Sequence, residues 1–505
     1  MRYAWVAFAV SVVVRIGFVF SHGLNSDEPQ HLHVAWAWSR GLVQYRDVFD
    51  NHLPLLHVLF APLFRVMDEE SSVFVIARLV MLPVALASAW LVYLITRRLT
   101  GPYIGLMAAT VFNVIPPWLP KSVEFRNDTL WVFLWLASIA CVAAPKRPRW
   151  GAAGLLSGLC ILASIKAVPL LLAHAIALVV ARRLPARAEV LRFAAGLAVP
   201  LLVCAVAFAS VGALGELVYA TLLYNAAVPV AAARRIGGAI AFAVIAAVAL
   251  RYRPPGGPVT LFAGGYVLVI LCFWPIVTPR DFLPLAAVGA FALAWRARTW
   301  RAAPVTLLVL TIAGSIWYAR LWRPPDLSRH QYVDAVLAIT TSRDFVYDLK
   351  GDSVFRRRAV YPIYDVVGRA LTAKGDLKDR GPEAMVARGC CVAMRDTSFL
   401  PPRSRAFLAR HFLDTGHLRV CGTTARDGTF EIAVPQVYAI SSARPSMLLL
   451  DGRPYDGPRF LRRGRHTLAG PGAAGAMIVW SPAVEAVRDH RAVARVAALR
   501  DRGGR

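Results

Sequence analysis

The feature that most constrains this chain is a series of apolar segments, each close to the ~20 residues that a helix needs to cross a bilayer. The first occupies residues 3–20 and is interrupted only by Arg15. Of the 505 residues, 57% are hydrophobic and 17% are charged, against roughly 25% charged in a soluble domain. The pattern predicts an integral membrane protein and excludes a soluble cytosolic enzyme.

Hydropathy places about eleven transmembrane helices before residue 324. We expect them at residues 3–20, 73–95, 102–119, 129–144, 151–165, 167–181, 193–212, 236–250, 258–277, 282–295 and 303–320. The apolar stretch 151–181 would form a helix of about 46 Å, too long for a hydrocarbon core of about 30 Å. It is therefore predicted to form two short helices with Lys166 between them.

The distribution of charge predicts the orientation in the membrane. With the N-terminus in the cytoplasm, five short cytoplasmic loops carry 14 basic residues, as the positive-inside rule requires. Seven of the 12 acidic residues before residue 324 then lie in one outer loop, 22–71. The net charge of +27 thus reflects membrane topology, and we expect no nucleic-acid partner. Because no A-x-A cleavage pattern follows the first span, we interpret it as a retained helix of a bacterial inner-membrane protein.

Residues 325–505 hold 47 of the 87 charged residues and are predicted to form a separate soluble domain. An odd number of spans places this domain outside the cytoplasm. Turn sequences and short β-rich runs at 430–434, 447–450 and 476–480 indicate an α/β or β-rich fold. The expected architecture is therefore a polytopic helical domain, residues 1–324, followed by an extracytoplasmic domain.

Three of the seven cysteines lie in this outer domain, where a disulfide is permitted. One bridge from Cys421 to either Cys390 or Cys391 is compatible with the sequence, which leaves open whether it forms.

The outer loop opens with the adjacent acids Asp27 and Glu28, directly after the first span. Adjacent carboxylates at a bilayer surface repel each other and lose hydration, which favours a general base. The same residues also suit a solvated helix start, with Ser26 as the cap. Both interpretations are open from spacing alone.

Polar residues recur at the same predicted membrane face. The loop continues through Tyr45 to His57, and Lys121 to Asp128 lie between the third and fourth spans. Converging carboxylates and imidazoles could bind a divalent metal, or the histidines could be hydrogen-bonding surface residues. Lys166 and Arg280 could hold a lipid-linked phosphate, or could extend to the interface without a ligand.

The order of these motifs resembles the GT-C superfamily of membrane glycosyltransferases. The motifs are the Asp27-Glu28 loop, Y-R-D-x-F-x-x-H-x-P-L from Tyr45, E-x-R-x-D from Glu124, the short helix pair at Lys166 and P-R-x-x-L-P from Pro279. Within it, the chain is similar to the branch with protein O-mannosyltransferases, the lipid A aminoarabinose transferase and related bacterial enzymes. The resemblance covers residues 1–320.

The resemblance implies transfer of a sugar from a polyprenyl-phosphate donor to a glycan, lipid or protein hydroxyl on the non-cytoplasmic face. Asp27 matches the base that acts on the acceptor, with Glu28 beside it as a second catalytic acid. The residues matched to substrate or phosphate binding are Arg126, Asp128, Lys166, Arg280, His52 and Tyr45. The sequence departs from the aminoarabinose-transferase pattern at His52-Leu53-Pro54, where that family has Lys-Pro-Pro, so the sugar stays open.

The chemistry agrees with this assignment. Phosphate leaves readily once its charge is paired, so one base and a cationic clamp suffice, and attack opposite the phosphate inverts the anomeric centre. The alternative class is a transporter or flippase for lipid-linked sugars. That class typically shows inverted repeats and charges at the membrane midplane, whereas the acids here cluster in an outer loop. An assembly factor with a membrane anchor would not need eleven spans.

The outer domain is expected to cover the outer cavity and help select the acceptor. The basic stretch 353–358 could contact anionic glycan or lipid groups, or could be a solvated surface strand.

Overall fold

A computed structural model describes residues 1–143, 148–180, 184–228, 232–252 and 258–490. The last residue of each of the predicted spans 129–144 and 167–181 lies outside the described residues. The last fifteen residues of the predicted outer domain also lie outside them. Helices dominate the chain up to residue 319, and the strands of the described residues begin at Phe345. The expected combination of a helical part and a C-terminal part rich in strands is confirmed.

The chain divides into two compact units. Unit 1 comprises residues 1–31, 37–66 and 72–326, and unit 2 comprises residues 32–36, 67–71 and 327–505. Residues 32–36, which lie inside the helix Glu28–Ser39, and residues 67–71 thus group with unit 2 rather than with their neighbours in sequence.

Unit 1 is built from helices, most of them apolar. They are α1 (Arg2–Ser21), α2 (Glu28–Ser39), α3 (Leu55–Phe60), α4 (Leu63–Val66), α5 (Val73–Thr100), α6 (Pro102–Val114), α7 (Trp118–Ser122), α8 (Asn127–Val142), α9 (Trp150–Ala163), α10 (Ala167–Val180), α11 (Arg187–Ser210), α12 (Leu214–Val218), α13 (Tyr224–Ala226), α14 (Ala232–Tyr252), α15 (Pro258–Phe273), α16 (Leu283–Arg296) and α17 (Ala303–Ala319). A π-helical turn, Tyr219–Leu223, precedes α13, and a 3-10 turn, Pro279–Phe282, precedes α16.

Three helices of the described part, α1, α5 and α11, are long and apolar enough to span a membrane by length and composition. Several others, including α6, α8, α9, α10 and α17, are apolar but have between 10 and 17 residues. The count of about eleven spans stays a prediction.

The predicted break at Lys166 is confirmed. Helix α9 ends at Ala163 and α10 begins at Ala167, which leaves Lys166 in the connection. Helix α9 packs closely on α11 through glycine: a Cβ added at Gly154 would lie 2.0 Å from the carbonyl oxygen of Phe193. Glycine therefore allows a backbone approach that no other residue permits here.

Helix α1 contains a buried arginine with a clear structural role. The Arg15 side chain is fully buried, and its Nε donates to Asn113 Oδ1 at 2.6 Å while another nitrogen donates to Ser122. Charge inside an apolar bundle requires such partners. Near the same end of α1, Phe18 packs with Leu119 and Val123, so the end of α1 lies beside the segment that follows α6.

Unit 2 is a mixed α/β structure with two sheets. Its strands are β1 (Phe345–Tyr347), β2 (Arg357–Arg358), β3 (Val392–Met394), β4 (Phe412–Asp414), β5 (Leu418–Thr424), β6 (Thr429–Ile432), β7 (Gln436–Ser441), β8 (Leu449–Leu450), β9 (Arg453–Pro454), β10 (Arg459–Leu461), β11 (Gly464–Ala469) and β12 (Met477–Trp480). The larger sheet has the order β10-β7-β12-β5-β3-β1-β2, with β4 also pairing to β5, and the smaller one has the order β6-β11-β8-β9. Only β1 pairs in parallel, with β2 and with β3, among the described strands.

The helices that the structure describes in unit 2 include α18 (Ser328–Ile339), α19 (Val366–Lys374), α20 (Gly381–Ala387) and α21 (Pro402–His411), and residues 484–490 are also helical. Its core includes Val346, Val392 and Val420 from neighbouring strands of the larger sheet. A disulfide joins Cys391 to Cys421, and Cys390 stays a buried free thiol. The structure thus contains the bridge that the sequence left open, with Cys391 as the partner of Cys421.

Both interpretations of the basic stretch 353–358 are wrong. The Arg356 guanidinium is buried and lies 2.6 Å from the Glu69 carboxylate, and Arg358 is buried 2.9 Å from Asp348. Of the three arginines, only Arg357 is exposed. The composition resembled a surface, but paired arginines can be interior residues.

Candidate active site

The acidic pair of the first loop is divided by its environment. Asp27 directly precedes α2, and its backbone carbonyl accepts a hydrogen bond from the His31 amide at 3.1 Å. The Asp27 side chain is 22% exposed, whereas that of Glu28 has no exposure. The two neighbours therefore cannot have the same access to a substrate.

Glu28 is bound by four donors. Arg78 of α5 donates from Nε at 2.8 Å and from a terminal nitrogen at 2.6 Å, which forms a bidentate pair. The backbone amides of Asn25 and Phe125 donate to the same carboxylate at 2.8 and 3.0 Å. Glu28 thus connects the loop that carries Asp27, helix α5 and the segment that carries Arg126.

The Asp27 carboxylate faces two guanidinium groups. Arg126 and Arg280 both donate to Asp27 Oδ2, the latter at 3.1 Å. Arg126 also donates to Asn25 Oδ1 at 2.9 Å and to Asp128 Oδ2 at 3.0 Å. Burial lowers the pKa of Arg126, but the carboxylates of Asp27 and Asp128 outweigh it and raise the pKa above its ordinary value.

Lys166 extends the charged array. Its Nζ lies 2.9 Å from Asp281 Oδ1 and 3.5 Å from Asp128 Oδ1, and its side chain is 20% exposed. The backbone amide and the hydroxyl of Thr278 donate to Asp281 Oδ2, at 2.6 and 2.9 Å. This capping box fixes Asp281 at the start of the 3-10 turn that also carries Arg280.

Glu124 belongs to the same set of charged residues through its contact with Arg126. Its buried carboxylate lies 2.6 Å from Lys121 Nζ, 3.2 Å from His22 Nε2 and 3.9 Å from Arg126 Nε. Burial raises the pKa of Glu124, but the hydrogen bond from His22 and the charges of Lys121 and Arg126 outweigh it and lower the pKa.

We refer to these residues as the ion-pair network. Its members are Asp27, Lys121, Glu124, Arg126, Asp128, Lys166, Arg280 and Asp281. Among the described residues, the ion pairs thus join four basic and four acidic side chains, so the network is formally neutral.

A second polar cluster lies further along the first loop. The buried Asp50 carboxylate accepts from Gln30 at 2.9 Å and Gln44 at 2.8 Å, and its Oδ1 lies 3.0 Å from His52 Nδ1. The Tyr45 hydroxyl is buried and donates to the His52 carbonyl at 2.8 Å, whereas the His52 side chain is 23% exposed. Tyr45 therefore supports the backbone of this turn, and His52 presents the accessible ring.

Two further histidines, His31 and His57, are buried next to His52. His31 Nδ1 lies 2.9 Å from His57 Nε2, and the His31 and His52 rings are 4.5 Å apart. Burial lowers the pKa of His57 to about 4, and burial together with the charges of His52 and His57 holds the pKa of His31 well below its ordinary value. Both buried rings are therefore neutral near pH 7.

No group of three or more His, Cys, Asp or Glu side chains in the described ranges is arranged to hold a metal ion. The histidines of the second cluster contact one another, Asp50 and Gln44, and the buried Nε2 of His31 has no hydrogen-bond partner among the described residues.

The structure thus brings together five of the eight residues selected from sequence: Asp27, Arg126, Asp128, Lys166 and Arg280. Sequence reasoning missed Arg78 and Asp281. The capping-box pattern Thr278-Pro-x-Asp281 was a local signal for Asp281. Arg78 had a weaker signal, a charge inside an otherwise apolar span.

The chain resembles known proteins in sequence and in structure. Residues 52–209 match the family model of dolichyl-phosphate-mannose-protein mannosyltransferases. Crystal structures of ArnT from Cupriavidus metallidurans are similar: the apo form has a TM-score of 0.53 at 13% identity, over 82% of this chain and 96% of that one. The chain therefore shares the fold of ArnT.

An oligosaccharyltransferase from Archaeoglobus fulgidus, crystallised with Zn and sulfate, is also similar, with a TM-score of 0.42 at 13% identity over 70% of this chain. This chain spans 62% of that protein. ArnT bound to undecaprenyl phosphate gives a TM-score of 0.41 at 14% identity, over 66% of this chain and 65% of that one. No curated protein matches the chain in sequence.

Proposed function

We propose that this protein transfers a sugar from a polyprenyl-phosphate donor to the hydroxyl group of a glycan, lipid or protein acceptor. The observation that carries the proposal is the placement of a partly exposed carboxylate, Asp27, against two guanidiniums in a network that also includes Lys166. Acceptor deprotonation requires a carboxylate of this kind, and a phosphate leaving group requires cations beside it. The fold supports the proposal, because the apo form of ArnT is similar to this chain. ArnT has also been crystallised with undecaprenyl phosphate.

In the proposed reaction, the acceptor hydroxyl gives its proton to Asp27 and its oxygen attacks the anomeric carbon. The bond from that carbon to the phosphate oxygen breaks, and its electron pair leaves with polyprenyl phosphate. Attack from the side opposite the phosphate inverts the anomeric centre. Arg280 and Lys166, which are 21% and 20% exposed, are the cations of the network most accessible to the phosphate, with Lys121 at 17%.

The remaining residues have supporting roles in this proposal. Arg126 and Asp128 hold Asp27 and Lys166 in place through their buried ion pairs. Glu28 acts as a positioning residue, since its carboxylate is buried and bound by four donors. His52, oriented by Asp50, is a polar contact for the sugar or the acceptor.

We place this chemistry on the outer face of a bacterial inner membrane, with residues 325–505 also outside. The distribution of basic loops supports this orientation. A membrane-impermeant reagent should label a cysteine added at the C-terminus of intact spheroplasts, and labelling only after permeabilisation would contradict the topology. The comparisons give no support for the transporter alternative.

The direct test is to incubate the purified protein in lipid with a panel of polyprenyl-phosphate sugars and candidate acceptors. Consumption of one donor, with release of polyprenyl phosphate, is expected for the wild type and lost in Asp27→Asn. Asp68→Asn is the matched control, because Asp68 is an exposed acid of the same predicted loop outside the network. A protein that consumes none of the donors would contradict the proposal.

A further inference from the structure

Arg126 and Arg280 contact the same oxygen of Asp27 but are held very differently. Arg126 is 5% exposed and has two further anchors, Asn25 and Asp128. The Arg280 side chain is 21% exposed. Asp27 is the only hydrogen-bond or ion-pair partner of its guanidinium among the residues that the structure describes. A guanidinium has five N–H donors, so most donors of Arg280 are available to another group.

The net charge of the network determines how the negative charge of a bound donor phosphate can be neutralised. The network is formally neutral. A polyprenyl-phosphate sugar is a phosphodiester, so the donor adds one negative charge. No cation in the described network is left over to neutralise it, so the phosphate must share one. Arg280 is the most exposed of the four cations, and its contact with Asp27, at 3.1 Å, is longer than the contact of Lys121 with Glu124, at 2.6 Å. Arg280 is therefore the cation that moves at least cost.

We propose that Arg280 is exchanged between Asp27 and the donor phosphate during the reaction. In the donor-free enzyme, Arg280 helps to neutralise Asp27. The bound phosphate draws Arg280 away and leaves Arg126 as the remaining guanidinium partner of Asp27, which makes the carboxylate a stronger base only when donor is present. This inference rests on the proposed function and adds a regulation of the same site.

The exchange also fits the movement of charge in the chemical step. When the acceptor proton reaches Asp27, that carboxylate becomes neutral. When the bond from the anomeric carbon to oxygen breaks, the phosphate gains the second negative charge. Negative charge thus passes from Asp27 to the phosphate, and a guanidinium between them stays paired throughout.

The inference is tested by binding rather than by turnover. Polyprenyl phosphate should bind more tightly to Asp27→Asn than to the wild type, by about fivefold, because the phosphate no longer competes for Arg280. This gain should disappear when Arg280→Gln is also present. If Asp27→Asn does not fold, judged by its thermal unfolding, Asp27→Ser takes its place.

Asp128→Asn is the matched control. It removes the same charge from the network, but its ion pairs are with Arg126 and Lys166. The charge of Arg280 acts on Asp128 without an ion pair between them. Any gain in affinity that Asp128→Asn causes should therefore depend on Arg280 less than the gain in Asp27→Asn does. A gain in Asp27→Asn that survives Arg280→Gln, or no gain at all, would overturn the exchange. Failure of the wild type to bind polyprenyl phosphate would instead count against the proposed function.

Discussion

The substitution Glu28→Gln separates a structural from a catalytic role for the second acid of the loop. Glu28 has no exposure and accepts from Arg78 twice and from the amides of Asn25 and Phe125. The Gln amide nitrogen would face a donor instead of accepting from it. Arg78 would also lose its only carboxylate partner among the described residues while staying 4% exposed.

The expected cost follows from these contacts. Removing one partner of a buried ion pair typically costs about 3–5 kcal/mol. Arg78 keeps hydrogen bonds to the backbone carbonyls of His22 and Gly23, at 2.6 and 3.0 Å. We therefore expect the lower end, a loss of about 3 kcal/mol in the free energy of unfolding.

The assay is SDS-induced unfolding of the purified protein in mixed micelles, with transfer activity measured on the same samples. We expect Glu28→Gln to lower stability and activity together, and the double variant Glu28→Gln/Arg78→Gln to cost less than the sum of the single variants. Wild-type stability combined with a loss of activity by orders of magnitude would refute a positioning role and favour catalysis by Glu28.

Three other expectations concern the same unit. Asp27→Asn should lower transfer by at least about 100-fold in a protein that still folds, and near-normal turnover would remove Asp27 as the base. Ala in place of Lys166 or Arg280 should raise the donor KM more than Lys–Arg exchange does, because exchange keeps the charge; unchanged donor affinity in both Ala variants would contradict phosphate binding. Because burial lowers the pKa of His57 to about 4, the unfolded chain binds its proton first as pH falls. Stability should therefore decrease from about pH 6.5 to pH 4, by up to about 3 kcal/mol, and His57→Gln should flatten the profile.

The predicted secondary structure was most accurate where the signal is local. The break at Lys166 follows from the length of one apolar stretch, and the structure has it between α9 and α10. The β-rich runs of the C-terminal part contain strands β6, β8 and β12. Apolar periodicity, turn residues and length act over a few residues, so one segment at a time is enough to detect them.

The ion pairs between charged side chains could not be predicted from the sequence. The basic stretch 353–358 was expected to be exposed, yet Arg356 pairs with Glu69, which is 287 residues away along the chain. Arg78 pairs with Glu28 across 50 residues, and Arg280 with Asp27 across 253. Such pairs depend on how separate elements pack, and a composition pattern contains no record of that packing.

Sequence reasoning was sufficient for the class of protein, the order of its helical and strand-rich parts, and the loop in which the acids cluster. Hydrophobic burial and the thickness of a bilayer are general constraints, and they act on composition alone. Which acid of the Asp27–Glu28 pair is accessible, and which cation each acid faces, depends on the tertiary structure. One carboxylate is buried under Arg78 and the other opens towards Arg280 because three distant segments converge there. That convergence is a property of packing between segments, where neighbours in space are far apart in sequence.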